Sequence, residues 1–154
     1  MFEVKKVKSG SAEMIVLNGS IEESVNLETL IGQPPSEMHV NCKGVSRINS
    51  IGVKSWISYF QARQKSGTKL TFYECSSAIV EQINLISNFL CGGKVDSIFL
   101  PYSCKSCKSE LAALFSVSEL RRMGSEIPTQ KCNKCGNAAE FDDIPEEYLG
   151  FLNR

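Results

Sequence analysis

Val45-Ser46-Arg47-Ile48-Asn49-Ser50-Ile51-Gly52-Val53 carries a strand into a helix through a polar turn. Upstream of it, Met38 to Val45 places His39, Val40, Cys42 and Val45 in a short run that predicts a strand. Downstream, Val53, Trp56, Ile57 and Phe60 fall at i, i+3, i+4 and i+7, one apolar face of an α-helix. Lys54, Gln61 and Arg63 lie off that stripe, and Gly67 closes the helix. Between the two, Asn49-Ser50 offers side-chain oxygens to the free N–H groups of the first helical turn. Capping alone explains both residue types.

The same alternation continues on either side. Met14-Ile15-Val16-Leu17 reads as a strand ended by a turn at Asn18-Gly19. Val25 to Ile31 reads as a short helix stopped by Gly32 and Pro34-Pro35. Lys69 to Cys75 alternates and is aromatic, hence strand. Ser76-Ser77 can start a second long helix with Ile79, Ile83, Ile86 and Leu90 on one face, stopped by Gly92-Gly93. Val95 to Leu100 is a last strand, ended by Pro101. Strands alternating with amphipathic helices predict an α/β class with helices laid on a sheet and right-handed crossovers.

Composition narrows the function classes. The 154 residues carry 17 basic and 17 acidic side chains and one histidine, so net charge is zero and phosphate neutralisation is not the main work. No apolar run approaches the roughly 18 residues a membrane helix needs. Met1-Phe2-Glu3-Val4-Lys5-Lys6 lacks the apolar core of a secretory signal, which predicts a cytoplasmic location. The odd count of 7 cysteines argues against a disulfide framework. Their distribution divides the chain near residue 100 into two expected domains, 1–100 and 101–154. The first carries 10 basic and 9 acidic residues, the second 7 and 8.

The stretch from Val45 to Val53, with the elements on either side of it, resembles the signature turn of STAS domains. These are the domains of anti-sigma-factor antagonists and of sulfate-transporter tails. The resemblance spans roughly residues 10–100 as spacing and pattern. It implies a mixed sheet with amphipathic helices and a regulatory role exercised by docking to other proteins. Three positions depart from the family pattern of Asp-Ser-Ser/Thr-Gly. Asn49 stands at the Asp position, Ser50 at the first hydroxyl, and Ile51 at the regulatory phosphoacceptor. Isoleucine cannot be phosphorylated, so the family's phospho-switch does not carry over. Ser50 could substitute, since a helix start accommodates a phosphate. The expected partner or anion surface is Asn49, Ser50, Ile51, Gly52 and Lys54.

The second expected domain rests on four cysteines. Cys104-Lys-Ser-Cys107 and Cys132-Asn-Lys-Cys135-Gly136 are two C-x2-C pairs separated by 24 residues. Each pair can aim two sulfurs at one ion, and two pairs make a tetrahedral thiolate site of the kind structural zinc prefers. Iron also suits four thiolates. Four thiolates leave no open position, so the metal is expected to hold structure and not to activate water. The segment resembles a zinc ribbon with one structural zinc. Cys42, Cys75 and Cys91 fall in apolar patterns and read as small buried hydrophobes. Leu111 to Val117 admits either a strand or a helical turn, and Ser118 to Arg122 a short helical turn. Asp142-Asp143-Ile144-Pro145-Glu146-Glu147 is a helix-start signature, with Asp143 as cap and Pro145 in the first turn. Phe141, Tyr148 and Phe151 are expected to pack against the ribbon or the first domain, the alternative being a frayed tail.

Three function classes follow. The favoured one is a non-enzymatic protein–protein interaction module. A second is nucleic-acid binding by the ribbon, whose knuckles carry Lys105, Lys108, Lys131 and Lys134, although that half has net charge −1 (7 basic less 8 acidic). Those lysines equally soften the charge of a tetrathiolate site. A third is a small-anion or nucleotide site at Ser50. Enzyme motifs are absent, and His39, inside a predicted strand, reads as structural.

Overall fold

Burial alternates along two adjacent strands and so decides which sheet face is dry. On β2 (Ala12–Ile21), Glu13, Ile15 and Leu17 are buried; on β3 (Glu37–Ile48), Met38, Val40 and Cys42 are. Pairing sets Ile15 beside Val40, so these residues share one face. The computed structural model describes residues 1–10, 12–33, 36–124 and 126–153. The expected stop at Pro34-Pro35 lies outside the described residues.

β1 (Glu3–Ser9), β2, β3, β4 (Lys69–Tyr73) and β5 (Lys94–Val95) form one sheet in that order. β1 is antiparallel to β2; the remaining pairs are parallel. α1 (Leu27–Ile31), α2 (Ser50–Lys65) and α3 (Ser77–Leu85) supply the helical layer. A second, antiparallel sheet is built from β6 (Ser97–Ser103), β7 (Glu110–Ser116), β8 (Gln130–Lys131) and β9 (Ala138–Phe141), in the order β7-β6-β9-β8. α4 (Val117–Met123) follows β7. α5 (Pro145–Tyr148) and a 3₁₀ turn (Gly150–Asn153) end the described chain. The fold is therefore α/β with a mixed sheet, joined to a small antiparallel sheet that carries the four cysteines.

The dry face is filled by an aromatic cluster. Trp56 stacks on Phe89 at 4.8 Å between ring centres and also meets Phe60 and Phe72. Its indole N–H donates to the Phe89 carbonyl at 2.9 Å, so the buried polar atom is satisfied. The buried face of α2 is Gly52, Trp56, Tyr59, Phe60 and Arg63. The stripe read from sequence is thus rotated, and Arg63 belongs inside it. Arg63 Nη1 donates to the Gly32 carbonyl at 3.2 Å, and the Tyr59 hydroxyl donates to the same oxygen at 2.7 Å. Five-residue α1 leaves carbonyls open at its end, and α2 closes one of them.

Several local expectations change. Asn18-Gly19 does not end a strand: β2 continues through it, with register shifts between Val16 and Asn18 and between Gly19 and Ser20. Gly19 has φ 117°, and a Cβ there would press on the Met1 main chain. α3 stops at Leu85, with Ile86 extended as its cap, because the chain must turn to bring Phe89 over Trp56. Pro101 does not end a strand but lies within β6, opposite Ala112 of β7. Its carbonyl accepts from the Asp142 N–H at 2.9 Å, so its ring nitrogen faces the rung just beyond the end of β9. The segment from Leu111 is strand β7, and the turn after it is α4, with a reciprocal Ser116–Glu119 cap. The cap position of α5 is Ile144, not Asp143; Asp143 Oδ1 instead accepts from the Ile144 N–H at 2.7 Å.

β6 runs through Leu100, where the cysteine distribution divides the chain, and one buried cluster extends from Ile15 to Leu149. β6 also meets the chain just past the end of β4, through an isolated parallel bridge between Ile98 and Cys75.

Candidate metal centre

Both cysteine pairs lie in turns at the ends of paired strands. The first links β6 to β7, the second β8 to β9. Ser103 pairs with Glu140, so the end of β6 adjoins the start of β9 and the two turns emerge side by side. Each turn has the same main-chain frame. Lys108 N–H donates to the Cys104 carbonyl at 2.8 Å and Cys104 N–H to the Ser109 carbonyl at 2.9 Å. Gly136 N–H donates to the Cys132 carbonyl at 3.0 Å and Cys132 N–H to the Asn137 carbonyl at 2.8 Å. Lys108 and Gly136 occupy equivalent places and both have left-handed φ, 64° and 80°.

The four Sγ atoms of Cys104, Cys107, Cys132 and Cys135 all lie within 4.8 Å of one another. Cys104 and Cys135 sulfurs are 3.4 Å apart, Cys107 and Cys132 sulfurs 3.6 Å. A metal–sulfur bond of about 2.3 Å gives a tetrahedron with edges of about 3.8 Å, so the quartet fits one ion. Cys104 and Cys132 are buried, Cys107 and Cys135 face outward, and all seven cysteines of the chain are free thiols. The four cysteines can hold a metal ion.

Neighbours tune the thiols unequally. The Ser109 hydroxyl, 3.1 Å from the Cys107 sulfur, and the Ser109 main chain hold the Cys107 thiol down to about 6. Main-chain N–H groups of Cys135 and Lys134 lower Cys132. The Asn137 main chain pulls Cys135 down, but the neighbouring Cys104 sulfur, burial and the other two thiols outweigh it and push the group up to about 11. The Asn137 amide also donates to the Cys135 sulfur at 3.5 Å. Ser109 and Asn137 lie outside the two C-x2-C pairs. Their signal is the shared offset, two residues after the second cysteine of each pair. Of the four flanking lysines, Lys105 is engaged with Glu140 at 3.2 Å.

The stretch Asn49–Lys54 lies elsewhere, at the start of α2. Asn49 Oδ1 accepts from the Gly52 N–H at 2.8 Å, and its Nδ2 donates to Glu23 Oε2 at 3.2 Å. The Glu23 main chain and that amide hold the Glu23 carboxyl below its ordinary range. Gly52 is buried against Ile21; a Cβ would press on the Ile21 carbonyl oxygen. Ser50, Ile51 and Lys54 are exposed, Ile51 at 47%. His39 has its Nδ1 2.8 Å from the Tyr73 hydroxyl and its Nε2 3.4 Å from Glu37, both on the face opposite the helices. Cys42, Cys75 and Cys91 are buried.

No protein-family model matches the chain, and no curated protein is similar to it in sequence. No described helix is long and apolar enough to cross a membrane.

Proposed function

We infer that this chain is a non-enzymatic regulatory module, similar to STAS domains, that docks to a protein partner through the start of α2 and is braced by a zinc ribbon. The observation that carries the reading is the exposed Ile51 on a rigid first turn. Asn49 caps that turn and Gly52 locks it to Ile21, so Ser50, Ile51 and Lys54 are presented at little cost in ordering. Along α2 the charged residues are Lys54, Arg63 and Lys65, with no acidic group. Arg63 is buried, so the exposed side is basic, and an acidic, partly apolar partner segment complements it.

Zinc is the proposed metal, because four thiolates at tetrahedral spacing, with no fifth donor grouped with them among the described residues, match a closed structural site. Its role is to join the two turns, and the reaction chemistry of an enzyme has no place in it. A reducing cytoplasm suits seven free thiols.

The test is affinity capture on the full chain, comparing wild type with an Ile51→Glu, Lys54→Glu double variant. Both side chains are exposed, so folding and metal content stay unchanged while captured partner is lost. Undiminished capture by the double variant would overturn this docking surface. Metal analysis of the purified chain tests the other half: one equivalent of zinc is expected, and iron or no metal would overturn it.

A further inference from the structure

We propose that the free edge of β7 is a self-association surface, on which a second copy of this chain pairs antiparallel, β7 against β7. The two sheets have four edges. β5 and β8 are two residues each, too short to template another strand. β1 is guarded by Lys5, Lys6 and Lys8. β7, Glu-Leu-Ala-Ala-Leu-Phe-Ser from Glu110 to Ser116, is seven residues long, contains no lysine, arginine or proline, and has its only charge at its first residue.

The direction of its main chain follows from its partners. Cys104 N–H donates to the Ser109 carbonyl and Val117 N–H to the Asp96 carbonyl, so odd-numbered residues of β7 bond to β6. Even-numbered residues turn N–H and C=O outward. The Ser116 N–H is taken by Glu119 Oε1 at 3.0 Å. For Ala112 and Leu114, no partner on that side exists among the described residues, and both side chains are exposed, Leu114 at 48%.

The strand is complementary to itself. A two-fold axis at Ala113 sets Ala112 opposite Leu114 of the second copy, and Leu114 opposite its Ala112. Both members of each pair direct their main chains at the other, and a small side chain meets a large one. The same register sets Glu110 opposite Ser116, so like charges never face. The two short sheets become one continuous sheet, and the exposed leucines are covered. β7 begins directly after the first cysteine turn, so the metal centre holds the pairing strand in register.

The experiment is sedimentation or light scattering of the purified full chain across a concentration series, with metal content measured in each sample. Wild type is expected to shift from one chain mass to two. Ala112→Pro deletes an outward N–H, and Leu114→Lys places a charge at the pairing edge. Each is expected to weaken dimerisation at least about tenfold, with circular dichroism and metal content unchanged. A second measurement is hydrogen exchange at the Ala112 and Leu114 amides, expected to slow as wild-type concentration rises. A wild-type chain that stays monomeric, a dimer that both variants retain, or exchange independent of concentration would each overturn the proposal.

Discussion

The Tyr148 hydroxyl donates to the Phe99 carbonyl at 2.6 Å, fastening the last helix of the chain to the strand that joins the two sheets. Ser77 Oγ lies 3.3 Å from the same hydroxyl, and the Asn84 amide donates to the Tyr148 carbonyl at 2.9 Å. The Phe141 ring lies between Tyr148 and Tyr102. The C-terminal segment is thus packed against α3 and the second sheet.

Tyr148→Phe should therefore cost about 1–2 kcal/mol, since it strips a part-buried carbonyl of its donor. Truncation after Phe141 should cost more and lower the melting temperature. Chemical denaturation of both variants checks the order; a truncated chain that melts like wild type would contradict it.

Burial pushes Tyr148 and Tyr59 each up to about 12, Tyr59 against the opposing pull of the Arg63 charge. The fold holds their neutral forms. Their contribution is complete below the unfolded value near 10 and is lost as pH rises through about 12. Tyr148→Phe removes one of these groups, so the stability gap to wild type should narrow between about pH 10 and 12. Denaturation curves at stepped alkaline pH measure it, and a constant gap would refute the assignment.

Removing the metal, or replacing Cys132 with Ser, should loosen β6 to β9 while leaving the first sheet folded, because the aromatic cluster on Trp56 draws nothing from the cysteine turns. Hydrogen exchange should rise in residues 97–141 and stay low in α2. Uniform loss of protection would show that the two parts unfold together.

The equivalent left-handed residues make opposite predictions. Lys108→Gly should be neutral or stabilise by about 1 kcal/mol, and Gly136→Ala should destabilise by about 1–2 kcal/mol. Thermal melts of the metal-loaded variants decide this. A Gly136→Ala variant as stable as wild type would mean the second turn relaxes freely.

At α2, Asn49→Ala should cost about 1 kcal/mol through loss of the cap, and Asn49→Asp much less. Gly52→Ala should cost more than either, because the new Cβ meets main chain at Ile21 that cannot move aside. Urea titrations rank the three.

Features legible in the amino-acid order alone are local ones. The Cys104–Cys107 and Cys132–Cys135 pairs mark a cluster that can hold a metal ion, because two-residue spacing constrains both sulfurs within one turn, whatever surrounds them. Asn49 announced a helix start because its partner, Gly52 N–H, is three residues away. The strands β3 and β4 and the body of α2 were legible from periodicity. Arg63 was not: its burial depends on the Gly32 carbonyl, 31 residues distant in sequence. Nor was Pro101, whose place within a strand depends on where β9 ends. The early end of α3 depends on Phe89 reaching Trp56, and the docking of Tyr148 on Phe99. The lysine-rich β1 has no apolar alternation strong enough to mark a strand in the sequence. Such features are set by contacts between distant segments, whose energies no window of neighbouring residues contains; only the packed chain brings both members of each pair together.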